Sequence, residues 1–283
     1  MSGGLGNPRS SARALARPAG WSLIAAIAAV AACLLALPAG AGAEIRGIDV
    51  SRFQGGIDWP SVGETKNKFA FVQASRGSGT DCLVAEDDCG ADPLYDFNHD
   101  GAEEERIKVG AYHRAFASGA TRKDARHDAR VEARVFSRSV GRLDRRDLVP
   151  VLDLETPFVR LNKQRLVYWV RTWLDKVEEK LGAKPMIYTN ASSWAATGDT
   201  TRFARQGYRL WVANFDVEAP LVPAANWNGL GWSVWQFTSR GNVRGIAGHV
   251  DKNKLAVPLR ELKAHGGGSG GNGGGTGGGV GSG

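Results

Sequence analysis

Cysteine, histidine and methionine are scarce in this 283-residue sequence, which has three, five and two of them respectively. The histidines show neither an H-x-x-x-H nor an H-E-x-x-H spacing, and no further soft ligands stand near the cysteines, which argues against a zinc-dependent hydrolase. Also missing before the glycine-rich end are the G-x-S-x-G turn of serine hydrolases and the dinucleotide-binding G-x-G-x-x-G. No internal repeat is evident. A strong charge excess is lacking too: 36 Lys and Arg against 29 Asp and Glu leave +7, too mild to argue for nucleic-acid binding. The stretch Arg122 to Arg130 alternates charge sign at helical spacing, as a solvated helix face does.

Both ends differ in composition from the rest. Arg9, Arg13 and Arg17 precede an apolar run from Trp21 to Leu37, and small residues follow up to Ala41-Gly42-Ala43. This is the layout of a secretory signal with cleavage after Ala43, so 1–43 is expected to be a leader that also carries away Cys33. An uncleaved anchor is the alternative, because the apolar run is near the lower limit for a bilayer of about 30 Å. In an exported chain the remaining pair, Cys82 and Cys89, is expected to form a disulfide. Residues 266–283 are almost pure glycine and are expected to form a flexible tail.

Between these ends, short β-rich apolar runs alternate with segments of helical period. That pattern predicts a single α/β domain over 44–265, an irregular β/α barrel of the TIM type with helices missing between the last strands. Strands are predicted at Ile45–Phe53, Phe69–Ser75, Val109–Phe116, Leu148–Glu155, Met186–Asn190, Leu210–Phe215, Ser233–Thr238 and Gly248–Asp251. Asn162 to Leu181 reads as a helix with Leu166, Val170, Trp173, Leu174 and Val177 on one face.

Polar residues that end apolar strands are the first candidates for chemistry, because the C-terminal rim of such a barrel carries the active site. Pro150-Val-Leu-Asp153-Leu154-Glu155 ends in two acids whose period-two spacing puts both on one face, opposite Leu152 and Leu154. Paired carboxylates raise the proton affinity of at least one member, which suits general acid chemistry; a structural carboxylate pair is the alternative. Asp49 after the first strand and Asp251 near the last would join them at one rim. Trp211, Ala213 and Phe215 share a face, and Trp232, Trp235 and Phe237 follow; aromatic faces beside carboxylates suit sugar rings, although any single Trp is more often core. His113 reads as a supporting residue, and Tyr112 points the opposite way, toward a substrate position.

The segments GIDVSRFQGGIDW, FAFVQASRG, KVGAYHRAF, VPVLDLE, PMIYTN, LWVANF, WSVWQFTS and HVDKN, in this order, resemble the lysozymes of glycoside hydrolase family 25, the Chalaropsis-type N-acetylmuramidases. The resemblance implies an irregular β/α barrel that hydrolyses the β-1,4 bond between N-acetylmuramic acid and N-acetylglucosamine in peptidoglycan. It makes Glu155 the general acid and Asp153 its partner, with Asp49 and Asp251 as flanking acids. Tyr188 becomes a substrate-side hydroxyl, and Gln236 and Trp211 become sugar contacts. Two departures stand out: Ala74-Ser75-Arg76-Gly77 replaces the usual Ala-Thr-Glu-Gly, and the loop carrying Cys82 and Cys89 is longer than usual. No cofactor or metal is implied. The expected partner is the peptidoglycan glycan strand, met by a secreted, periplasmic or cell-wall-associated monomer without stable membrane insertion. A chitinase-like or endo-N-acetylglucosaminidase barrel, and a sugar-binding barrel without activity, stay open as alternatives.

Overall fold

The computed structural model of the protein describes residues 44–78 and 89–264; the expected leader, Cys82 and the glycine-rich tail lie outside the described residues. The strands are β1 (Arg46–Val50), β2 (Asn67–Arg76), β3 (Gly90–Ala91), β4 (Lys108–Arg114), β5 (Val151–Asp153), β6 (Met186–Thr189), β7 (Leu210–Ala213), β8 (Val234–Gly241) and β9 (Val250–Leu255). All eight predicted strands are present. In space their order is β1-β9-β8-β7-β6-β5-β4-β2, and a β1–β2 pairing closes the barrel, with the short β3 added beside β2.

Six of the contacts round the barrel are parallel, whereas β9 runs antiparallel to both β8 and β1. The connection from 242 to 249 explains this exception, since it is too short for the helical crossover that a parallel return needs. Asp251 therefore lies at the beginning of its strand, not at its end as the sequence pattern suggested, yet still on the rim.

Helices α1 (Trp59–Gly63), α2 (Tyr95–Glu104), α3 (Arg122–Val140), α4 (Lys163–Leu181), α5 (Ala191–Ala195) and α6 (Arg202–Arg205) cover the outside. Local capping sets their bounds. Asn162 accepts from the Arg165 amide to start α4, and Gly182, with φ of 70°, ends it in the left-handed conformation that favours glycine. Thr121 and Asp124 form a capping box at α3. Between β7 and β8 there is no ordinary helix. Pro223–Asn228 instead forms a left-handed turn, with φ between 50° and 56° from Ala224 to Asn228, pinned by the buried Trp227 whose indole N–H donates to Tyr208 O at 2.7 Å.

Strand alternation divides the apolar residues into two cores. Ile48, Val72, Ala111, Leu152, Leu154, Ile187, Val212 and Trp235 pack outward against the helices, together with the predicted face of α4. Phe69, Phe71, Val151, Met186, Trp211 and Val234 point inward, and Leu262 joins them from the chain's far end. Two phenylalanine rings fit inside because glycine stands opposite each. A Cβ on Gly47 would lie 2.7 Å from Phe69 Cδ1, and one on Gly110 2.4 Å from Phe71 Cε1. Above this packed interior the inward positions turn polar.

Candidate active site

Following each strand upward by two residues from the inner core leads from apolar to polar: Gly47 to Asp49, Val151 to Asp153, Met186 to Tyr188, Val234 to Gln236. The barrel mouth is thus built by the same alternation that fills the interior. Asp49 and Asp251 are direct partners in the β1–β9 register, as the barrel closure requires.

Asp49 is the most elaborately held of the acids. The Gln236 Nε2 group donates to its Oδ1 and Oδ2 at 3.1 and 3.0 Å, and Asn253 Nδ2 donates to Oδ2 at 2.7 Å. Each amide is oriented from behind. Tyr188 donates its hydroxyl to Gln236 Oε1 at 2.8 Å, and the Trp211 indole N–H, which can only donate, holds Asn253 Oδ1 at 2.8 Å. Burial keeps the Tyr188 and Tyr112 phenols well above their usual range, so both retain their protons. Burial, followed by the charge of Asp251, pushes Asp49 well above the aspartate range despite the amides; Asp251 is itself raised, by burial first and by Glu155 next.

Asp153 and Glu155 occupy different surroundings. Asp153 is 7% exposed, and its Oδ1 has no hydrogen-bond partner among the described residues. Burial drives its carboxyl well upward; Arg114 and Arg76 oppose this, and Glu155 and Asp251 reinforce it. Glu155 lies just beyond β5 with a side chain 29% exposed. Asn190 Nδ2 donates to its Oε1 at 3.0 Å. The same Asn190 caps α5 through its Oδ1, which fixes its amide relative to Glu155. Beside Glu155 is an open pocket bounded by Asn190, Ser192, Asn214, Phe215 and Leu221. Phe215 and Leu221 are exposed apolar residues there, and Phe53 is another such residue on the loop after β1.

The other sequence candidates fall into place around these acids. Trp211 is 1% exposed and stacks on Phe71 at 4.6 Å, one layer below the carboxylates. Tyr112 is half-buried on the inner face and meets Trp211 edge-on. Trp235 belongs to the outer core. Three residues given no role from the sequence also matter: Asn190, Asn253 and Arg114. Their signal was faint, an N-cap asparagine, a polar residue two after Asp251, and an arginine sharing the parity of Tyr112.

His113 points outward, away from the mouth. Its Nε2 is 2.8 Å from Glu132 Oε2 of α3 and its Nδ1 2.8 Å from Ser75 Oγ, while its ring stacks on Trp173 at 5.5 Å. Burial, then Arg114, lowers His113 to about 3, and burial pushes Glu132 well above the glutamate range. The pair is therefore neutral, with one proton on Glu132 shared toward Nε2. Unfolded, Glu132 titrates near 4.5 and His113 near 6.5, so the unfolded pair holds two protons below that window, one within it and none above. Stability from this pair is greatest between those values and falls on either side by about 1.4 kcal/mol per pH unit. Glu132→Gln keeps both hydrogen bonds without the proton. Its melting temperature relative to wild type is expected to gain as pH rises from about 4.5, where the unfolded glutamate ionises, toward the raised folded value of Glu132; a difference that does not change with pH would show that the pair does not hold the extra proton.

Comparison with known proteins agrees with this architecture. The family model described as "Glycosyl hydrolases family 25" matches residues 48–246. Lysozyme M1 of Streptomyces globisporus is 32% identical over 217 residues, 75% of this chain and 67% of that protein. The N,O-diacetylmuramidase of Chalaropsis sp. is 23% identical over 231 residues, 75% of this chain and 99% of that protein. The crystal structure of a bacterial lysozyme from Streptomyces coelicolor superposes with a TM-score of 0.65 at 29% identity, covering 77% of this chain and 94% of that one. The chain belongs to glycosyl hydrolase family 25 and is a glycoside hydrolase.

Proposed function

We propose that the protein is a muramidase that hydrolyses peptidoglycan at the β-1,4 bond between N-acetylmuramic acid and N-acetylglucosamine. The observation that carries the assignment of roles is the contrast between the two acids of β5: Asp153 is buried at the mouth, and Glu155 faces solvent beside the Phe215 and Leu221 pocket. In this reading Glu155 meets the glycosidic oxygen and donates the proton that the leaving sugar needs. Asp153, ionised in the working state, stabilises the positive charge that develops at the anomeric carbon. Asp49 and Asp251 shape the rim, and Tyr188 and Gln236 hold Asp49 in orientation. Trp211 acts from beneath through Asn253, and Tyr112 offers a hydroxyl on the substrate side. The names of the lysozyme relatives support the choice of peptidoglycan.

Mass spectrometry of the fragments released from purified peptidoglycan tests this reading. New reducing ends are expected on muramic acid; ends on N-acetylglucosamine, or faster release from chitin, would move the activity to another class. Proton NMR of the first product, read before mutarotation, separates retention by the substrate's 2-acetamido group from inversion by water.

The exported setting belongs to the same proposal. Protein collected outside the cell is expected to begin at Glu44, and alkylation without reductant is expected to find neither Cys82 nor Cys89 free. A mature chain that retains 21–37, or two alkylated thiols, would overturn the corresponding part. No helix of the described residues is long and apolar enough to cross a membrane.

A further inference from the structure

Arg114 is the last residue of β4 and the direct neighbour of Asp153 in the β4–β5 register. Its guanidinium is spent mainly on backbone. Nη1 donates to Ala115 O at 2.9 Å and Glu155 O at 3.2 Å, and Nη2 donates to Thr156 O at 3.2 Å. The same group lies near both acids, with Nε 3.8 Å from Asp153 Oδ2 and Nη2 3.9 Å from Glu155 Oε2. Its position over the Phe116 ring, 5.6 Å from the centroid, holds the plane in place. Only a planar fork of several N–H groups can meet three carbonyls while presenting charge to two carboxylates; an ammonium concentrates its donors on one atom.

We propose that Arg114 is a positioning residue for the reaction: it ties down the backbone on which Glu155 is mounted, and it supplies the positive charge against which Asp153 ionises. This inference rests on the muramidase reading for its link to rate. Arg114 acts through the acids and not on the sugar, because its donors are turned to the chain.

The consequence is a pH effect. Asp153 faces Arg114 from β4, Arg76 from β2, Tyr112 from β4, Tyr188 from β6, Asp251 from β9 and its own neighbour Glu155. Burial, Glu155 and Asp251 all favour its protonated form, and the two arginines oppose them. Removing Arg114 leaves Asp153 to take up a proton at higher pH. An opposite charge within about 4–6 Å typically moves a carboxylate by one unit or more.

The test is the pH profile of kcat/KM for peptidoglycan hydrolysis, measured from pH 3 to 9 for wild type, Arg114→Met and Arg114→Lys, each checked by circular dichroism. Arg114→Met is expected to lower kcat at least tenfold with KM little changed and to move the acid limb up by about one pH unit. Arg114→Lys is expected to return the limb to the wild-type position without returning kcat. An unmoved limb in folded Arg114→Met would overturn the electrostatic role, and a raised KM at unchanged kcat would make Arg114 a substrate contact instead. Should Arg114→Met not fold, the lysine variant decides: a wild-type kcat refutes the proposal, and a lowered kcat with an unmoved limb supports it. If the wild type itself releases nothing, the muramidase reading fails separately. The charge effect is then read from the titration of carboxyl-13C-labelled Asp153, identified by its loss in Asp153→Asn. The midpoint is expected to be higher in the arginine-free variant, Met or Gln; equal midpoints would refute the proposal.

Discussion

Glu155→Gln is expected to lower muropeptide release by about 10²-fold or more, equivalent to roughly 2.7 kcal/mol of transition-state stabilisation, while leaving the fold intact. The change is close to isosteric. The amide oxygen still accepts from Asn190 Nδ2 where Glu155 Oε1 now does at 3.0 Å, and the partly exposed position carries no packing load. What is lost is the transferable proton. The deficit should therefore lie in kcat more than in KM, and it should depend on the leaving group. A glycoside whose aglycone is an acidic phenol departs without protonation, so the variant is expected to recover a large part of its activity on that substrate. Equal impairment on both substrates would point to misplacement instead, and near-wild-type release from peptidoglycan would return Glu155 to a structural role.

The barrel was legible in the sequence because its two cores obey one rule. Period-two alternation put Leu152 and Leu154 outside and Val151 and Asp153 inside, and the helical period of α4 marked Leu166, Val170, Trp173, Leu174 and Val177 as its buried face. The direction of β9 was not read from its own residues, which look alike either way. It was encoded in the short connection before it, a length that admits a hairpin-like return and no crossover. The left-handed turn at Pro223–Asn228 carries no glycine before Gly229, so nothing in its composition announced it.

The site was legible where the chemistry falls on strand ends and obscure where it depends on who holds whom. Asp153 could be placed by parity and Asp49 by its place after a strand, whereas Tyr188 and Gln236 came only through the family resemblance. That Trp211 works from beneath, through Asn253 to Asp49, depends on one indole hydrogen bond of 2.8 Å between β7 and β9, 42 residues apart in sequence. Aromatic composition suggested a sugar platform at this position, whereas a ring with 1% exposure serves mainly as support for an amide. His113 shows the converse: its bland reading as a supporting residue matches a buried ring tied to α3 by Glu132. Pairings of this kind arise between elements that meet only after the barrel closes.

Asp153→Asn is expected to change activity and stability in opposite directions. Activity should fall by about 10²- to 10³-fold, because the buried carboxylate is the negative charge nearest the developing cation in the proposed reaction. Stability should hold or rise at neutral pH. The folded protein holds the Asp153 proton to a higher pH than the unfolded chain, whose aspartate titrates near 3.8, because burial disfavours the ionised form. Between 3.8 and the raised folded value the native state binds more protons, so rising pH erodes stability across that window, and asparagine removes the erosion. The advantage of the variant should accordingly grow as pH rises through the window and shrink toward zero as pH falls to 3.8 and below. Each unit of separation between the folded and unfolded values corresponds to about 1.4 kcal/mol. Asp153 Oδ1 lacks a hydrogen-bond partner among the described residues, so the substitution breaks no bond there, and its main cost is the loss of the charge 3.8 Å from Arg114 Nε. Thermal melts at several pH values, set beside muropeptide release, measure both effects on one sample. A variant that is inactive and also less stable at every pH would mean that Asp153 is a structural carboxylate. An inactive variant whose stability gains as pH rises would identify a charge kept in the fold for the sake of the reaction.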